Sequence, residues 1–168
     1  MVETSAGDVA RGAVAGLVGG LVASFVMTQF QSLLTAIAET EEKSKKKNGG
    51  DEPSTVKAAI KISENIFDHD LTKSEKEPAG EVVHYAMGAT SGLIYGIAAE
   101  IEPIATAGAG LSFGTAVWLF ADDIVVPALG LSKSVTEYPL STHAYALSSH
   151  LVYGLTTEVV RRAVRNLL

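Results

Sequence analysis

From Gly12 to Ala38 the chain runs without a single Asp, Glu, Lys or Arg. This stretch, GAVAGLVGGLVASFVMTQFQSLLTAIA, exceeds the roughly 20 apolar residues that carry an α-helix across about 30 Å of hydrocarbon. It shows no polar stripe at helical period, as the surface helix of a soluble protein would. Three further runs, Val82 to Ala99, Pro103 to Ala121 and Tyr138 to Thr157, are equally free of these charges and lie at or near spanning length. Glu3 and Asp8 beside a single Arg11, ahead of so long a run, favour a retained first membrane helix over a cleaved signal peptide.

The expected fold is therefore all-α: a polytopic membrane protein with four transmembrane helices at about 9–38, 79–101, 104–126 and 140–165. They form a single membrane domain over 1–168, interrupted by a polar insertion at 39–78. Glu102-Pro103 breaks helix two from helix three, because the residue before proline is pushed out of the α region. Pro127 and Gly130 end the third helix. Within the insertion, Asn48-Gly49-Gly50 marks a turn. Pro53 to Phe67 then reads as a short amphipathic helix with Val56, Ala59, Ile60, Ser63 and Phe67 on the face that packs against the bundle.

The remaining composition excludes several classes. Charged residues make up 19% and are concentrated between Glu39 and Pro78. The net charge of −6 leaves no basic face to neutralise nucleic-acid phosphates. The chain has no Cys, hence no disulfide, thiolate metal site or Cys nucleophile.

Two pieces repeat. Ser91-Gly-Leu-Ile-Tyr-Gly-Ile-Ala-Ala-Glu100 aligns with Ser149-His-Leu-Val-Tyr-Gly-Leu-Thr-Thr-Glu158, and more faintly Ala15-Gly-Leu-Val-Gly-Gly20 with Ala109-Gly-Leu-Ser-Phe-Gly114. The four helices thus read as two repeated hairpins. Small residues at intervals of four accompany the repeat: Gly12, Gly16 and Gly20; Gly88, Gly92 and Gly96; Thr106, Gly110 and Gly114; Ala146, His150 and Gly154. Hydrophobicity cannot drive helices together in a bilayer, so small-xxx-small spacing, which lets backbones approach, predicts glycine-zipper packing.

Alternating helix directions gather polar residues at two levels. At one level fall Asp122, Asp123, His84 and His143, with Thr28, Gln29 and Glu81, and His150 about two turns deeper. An intramembrane Asp costs about 2.5–3.5 kcal/mol on insertion scales and normally faces a partner inside the bundle. Consecutive residues point about 100° apart on a helix, so one of Asp122 and Asp123 faces inward, with His143 and His84 as its expected partners. Free His titrates near pH 6.5, which makes this an expected proton-responsive layer. A hydrogen-bond knot that only fixes helix register is the alternative. No HxxxH or HxxE spacing supports a metal site, and none is expected. At the other level Glu100, Glu158, Arg11, Arg161 and Arg162 predict a structural ion network, with Glu158 and Arg162 as i,i+4 partners.

The runs EKEPAGEVVHYAMGATSGLIYG, GLSFGTAVWLFADDIVVPALGLS and YPLSTHAYALSSHLVYGLTTEVVRRAVR resemble the YagU-like family of bacterial inner-membrane proteins, a domain of unknown function. The likeness spans nearly the whole chain, is densest from Glu77 onward, and is weakest in the Lys-rich insertion. It implies a multi-pass protein of the bacterial cytoplasmic membrane and a link to acid tolerance. It carries over no catalytic residue. The family commonly has Glu where this chain has Asp123, a change that keeps the charge. With no catalytic or cofactor motif, the expected function is non-enzymatic, without cofactor or metal: support of acid tolerance through the Asp–His layer. The alternative is a scaffold subunit. The lipid bilayer is the expected partner, with a second copy or a partner membrane protein on the scaffold reading.

Overall fold

In the computed structural model, residues 4–41 and 52–168 are described, with 38–41 described by backbone alone. The described residues are helical, without a strand.

Helix α1 spans Ala6–Glu41. Its start is capped reciprocally: the Asp8 backbone N–H donates to Ser5 Oγ at 3.1 Å, and the Ser5 N–H and hydroxyl donate to the Asp8 carboxylate. Helix α2, Ser54–Phe67, buries Val56, Ala59 and Ser63. It lies against the first turns of α3, where a Cβ on Gly80 would sit 2.6 Å from a Val56 methyl. Phe67, expected on the packed face, is instead 71% exposed, since α2 bends into a left-handed Asp68 just beyond it.

Helix α3, Lys73–Ile101, begins six residues before the expected 79. A Thr72–Glu75 capping box nucleates it, and Pro78 falls early enough in the helix to be carried inside it.

The third expected helix departs most from 104–126. Pro103–Gly110 is an irregular stretch in which Ala107 is extended and Gly108, Ala109 and Gly110 all take positive φ. Regular helix α4 starts only at Leu111 and runs to Val117. Trp118–Val125 then widens into a π-helix, and Val126–Ala128 closes the rod as α5. Thr106 therefore does not share a helix with Gly110 and Gly114, and it drops out of the small-residue row. Helix α6, Leu140–Arg165, is regular throughout.

Helix α1 packs against both α3 and α6, and α6 packs in turn against α4. The glycines explain how closely. A methyl on Gly16 would land on the Gly92 carbonyl and 2.7 Å from Gly96 Cα; one on Gly20 would land on the Gly88 carbonyl. In the second hairpin, a methyl on Gly114 would land on the His150 carbonyl and 3.3 Å from Gly154 Cα, and one on Gly110 on the Gly154 carbonyl.

These contacts correct the register of the repeat. Gly114, not Gly110, meets the residues equivalent to the Gly92 and Gly96 that face Gly16. Gly110 faces Gly154 and Glu158 as Gly12 faces Gly96 and Glu100. The similarity of AGLVGG to AGLSFG misleads by one helical turn, because a slip of four residues leaves a small-xxx-small row in register with itself. On the corrected register Trp118 stands where the first hairpin has Gly20, and Asp122 where it has Ser24.

The burial pattern is the reverse of a soluble protein's. The largest fully buried side chains are Glu158, Thr157, Ser24 and Ser149, while Phe25, Leu33, Ile94, Phe120 and Val159 lie on the outside. Soluble monomers rarely expose so continuous an apolar surface. Three helical segments, Ala6–Ile37, Lys73–Ile101 and Pro103–Ala128, are long and apolar enough to cross a membrane, which fits a membrane protein. The fourth expected span, α6, is not among them. Its Ser, Thr, His, Glu and Arg residues lower its hydropathy, and seven of its residues are buried against neighbouring helices.

Candidate functional site

The two polar levels are held by the two ends of the helix pairs. At the level of the α3 C-terminus, Glu158 is 1% exposed and accepts from Tyr95 Oη at 2.9 Å and from Arg161 Nε and Nη2 at 2.6 and 3.0 Å. Arg162 Nε also donates to it. Arg161 lies 3.7 Å from Glu100, and Arg165 completes the chain by donating to Glu100 at 2.9 Å and Asp8 at 2.9 Å. A buried carboxylate is stable only when paired and hydrogen-bonded, and Glu158 meets both conditions.

Two members of this network differ from expectation. Arg11 is exposed and makes no ion pair among the described residues. Its place is taken by Arg165, one turn past Arg161 and on the same face of α6. Tyr95 also went unforeseen, though the repeat marks it: its counterpart Tyr153 donates to the Gly88 carbonyl at 2.7 Å. Between the two tyrosines sits Phe113, stacked on Tyr95 at 4.2 Å and tilted against Tyr153 at 5.8 Å. Accordingly, Arg165→Gln should lower the unfolding temperature in detergent measurably, whereas Arg11→Gln should stay within about 0.5 kcal/mol of wild type. Equal effects would place Arg11 in the network.

The second level lies where α4 and α6 part. They touch closely at Gly110 and Gly114, but one turn on the indole of Trp118 replaces the Gly20 of the first hairpin, and the wider π-helical turn begins there. π-Helical turns are rare and concentrate at functional sites. The divergence leaves a cleft of about 500 Å³, walled by Trp118, Asp122, Asp123, Tyr138 and His143 and roofed by Ser54 and Lys57 of α2. Lys61 ties the roof in place by donating to the Leu129 carbonyl at 2.7 Å.

Asp122 pairs with neither expected histidine. Its carboxylate lies 3.7 Å from His150 Nδ1, which also donates to the Ala146 carbonyl at 2.9 Å. His84 Nε2 reaches the Ser24 carbonyl at 3.4 Å, and His143 Nε2 the Val135 carbonyl at 3.1 Å. His143 also stands edge-on between Trp118 and Tyr138, each ring centroid 6.5 Å away. A carbonyl can only accept, so in each of these bonds the named nitrogen carries a proton. The structure thus brings Asp122 and His150 together, sets His143 and Asp123 on the cleft wall, and leaves His84 on α3 against α1. Among the described residues no three His, Asp or Glu side chains come close enough to share a metal ion.

A family model described as "Protein of unknown function (DUF1440)" matches residues 40–159. This covers everything from the polar insertion to the buried Glu158. No curated protein and no solved structure matches the chain.

Proposed function

The chain belongs to the DUF1440 family of proteins of unknown function, and from that premise we propose a non-enzymatic, multi-pass protein of the bacterial inner membrane that supports acid tolerance. On this reading α6 is a fourth span whose polar groups face the bundle, and the helices form two glycine-zipper hairpins. The resemblance of the three long runs to the YagU-like family supports the same location and role.

One observation carries the proposal: a carboxyl–imidazole pair, with Asp122 3.7 Å from His150, in the middle of α6. On α6, His150 is eight residues from Glu158 and eleven from Pro139, about 12 and 16 Å of helix. Groups at that depth rarely carry charge without a functional reason. His150 faces Asp122 across the α4–α6 interface. Asp123 on the same π-helical stretch and His84 on α3 also act electrostatically on Asp122. His143 and Tyr138, with Lys57 and Glu52 from the α2 side, line the cleft that leads to it. An imidazole beside a carboxyl group is a pair of side chains that both exchange protons, and the proposed acid response is assigned to it.

The cleft opens beside α2. In sequence Lys43, Lys45, Lys46, Lys47, Lys57, Lys61, Lys73 and Lys76 fall between the ends of α1 and α3, against Arg11, Arg161, Arg162 and Arg165 at the opposite helix ends, and on this reading the larger Lys count orients the cleft toward the cytoplasm. The proposed response is therefore to cytoplasmic acidification. Cells carrying only Asp122→Asn or His150→Gln should survive acid, and recover cytoplasmic pH, no better than cells lacking the protein. Wild-type recovery in both variants would end the proposal. A reporter fused after α6 should read as non-cytoplasmic, and a cytoplasmic reading would turn the cleft to the opposite side.

A further inference from the structure

The cleft presents opposite charges that do not touch. Lys57 lines it from α2 and Asp123 from the π-helical stretch, yet neither makes an ion pair among the described residues, so more than 4.0 Å separates each from a partner. Glu52 is turned to Lys76 at 2.9 Å, and Asp122 is engaged by His150. Trp118 and Tyr138 add aromatic surface to the wall. The volume of about 500 Å³ falls within the usual range for small-molecule sites.

A simple cation in this space would satisfy Asp123 but face Lys57. A simple anion would satisfy Lys57 but face the carboxylates of Asp122 and Asp123. We propose that the cleft binds a small zwitterion, with its ammonium group at Asp123 and its oxyanion, carboxylate or phosphate, at Lys57. The Trp118 and Tyr138 side chains on the wall suit the carbon atoms between the two charges. The proton response of Asp122 and His150 is not required for this binding. Two sources supply the same chemistry: a soluble amino-acid-like solute, or the phosphoethanolamine headgroup of a neighbouring lipid.

Thermal unfolding of the delipidated full-length protein in detergent tests the proposal, with phosphoethanolamine, glycine, ethanolamine and inorganic phosphate added at matched ionic strength. Either or both zwitterions should raise the unfolding temperature saturably, while ethanolamine and phosphate alone should not. Lys57→Gln and Asp123→Asn should each unfold at the wild-type temperature without ligand and lose the shift. His150→Gln, which removes the proposed proton response, should keep it. Nanodiscs then separate the sources. If phosphatidylethanolamine discs, but not phosphatidylglycerol discs, abolish any further shift by soluble zwitterion, the lipid headgroup is the occupant; if the shift persists in both, it is the free solute. No shift with either zwitterion, an equal shift with ethanolamine or phosphate alone, or a shift retained in Lys57→Gln and Asp123→Asn overturns the proposal. Because His150→Gln is scored separately in acid survival, failure of either reading is visible without the other.

Discussion

Gly92→Leu is expected to leave no folded monomer. A Cβ alone at Gly92 would land on the Gly16 carbonyl and 2.8 Å from Gly20 Cα, both backbone atoms of α1 that cannot rotate away. Leucine adds three more carbons where a single one already collides. Overpacking a filled core costs about 1–3 kcal/mol when side chains can shift, and the cost here should exceed that range because the obstacle is a helix backbone. Helices α1 and α3 would have to separate along the Gly12–Gly20 row, with loss of the van der Waals contact that holds helices together in lipid. Gel filtration and thermal unfolding in detergent would show aggregation or loss of the cooperative transition. Leu33→Ala is the control: Leu33 is 58% exposed and should change stability little. A monodisperse, cooperatively unfolding Gly92→Leu protein would refute the packing account.

Glu158→Gln should have the second-largest effect, a loss of about 3–5 kcal/mol, because it breaks a buried ion pair from one side. Arg161 would keep only Glu100, at 3.7 Å, and would stay almost wholly buried. Tyr95 Oη would lose its charged acceptor at 2.9 Å. In a double-mutant cycle Tyr95→Phe should therefore cost much less in the Glu158→Gln background than in wild type. Arg162→Gln makes the contrast. Its side chain is 57% exposed, and an exposed ion pair contributes at most about 1 kcal/mol. Denaturant unfolding in mixed micelles would rank the three. Comparable losses for Glu158→Gln and Arg162→Gln would mean that the network is not sequestered from water.

The long uncharged runs were readable in the sequence because spanning a bilayer is a requirement on length and charge, which sequence displays directly. Glycine at intervals of four was readable for the same reason, as was the gathering of Glu100, Glu158 and Arg161 at one level. Which glycine faces which was not: rows of period four look alike after a one-turn slip, and only the contacts of Gly12 and Gly114 distinguish the registers. The π-helical stretch also left no mark. WLFADDIV reads equally well at either helical period, and the widening begins at Trp118, which stands where the sister hairpin has Gly20. Asp122, on that stretch, lies beside His150 and not beside the expected His143 or His84. Arg165 was passed over for Arg11 because sequence places both at the same end, while only the face of α6 decides which one points inward.

The Asp8–Arg165 and Glu100–Arg165 bonds have a consequence in time. They join residues 157 and 65 positions apart, so α1 and α3 emerge and insert while their carboxylates still lack the arginines that compensate them. At about 5–20 residues per second, Glu100 waits roughly 3–13 s for its partner to be synthesised. During that interval the α1–α3 pair has its glycine contacts and the Thr4–Glu100 hydrogen bond, with the Glu100 carboxylate still unpaired. The arrival of α6 supplies Arg161 and Arg165 and completes the network.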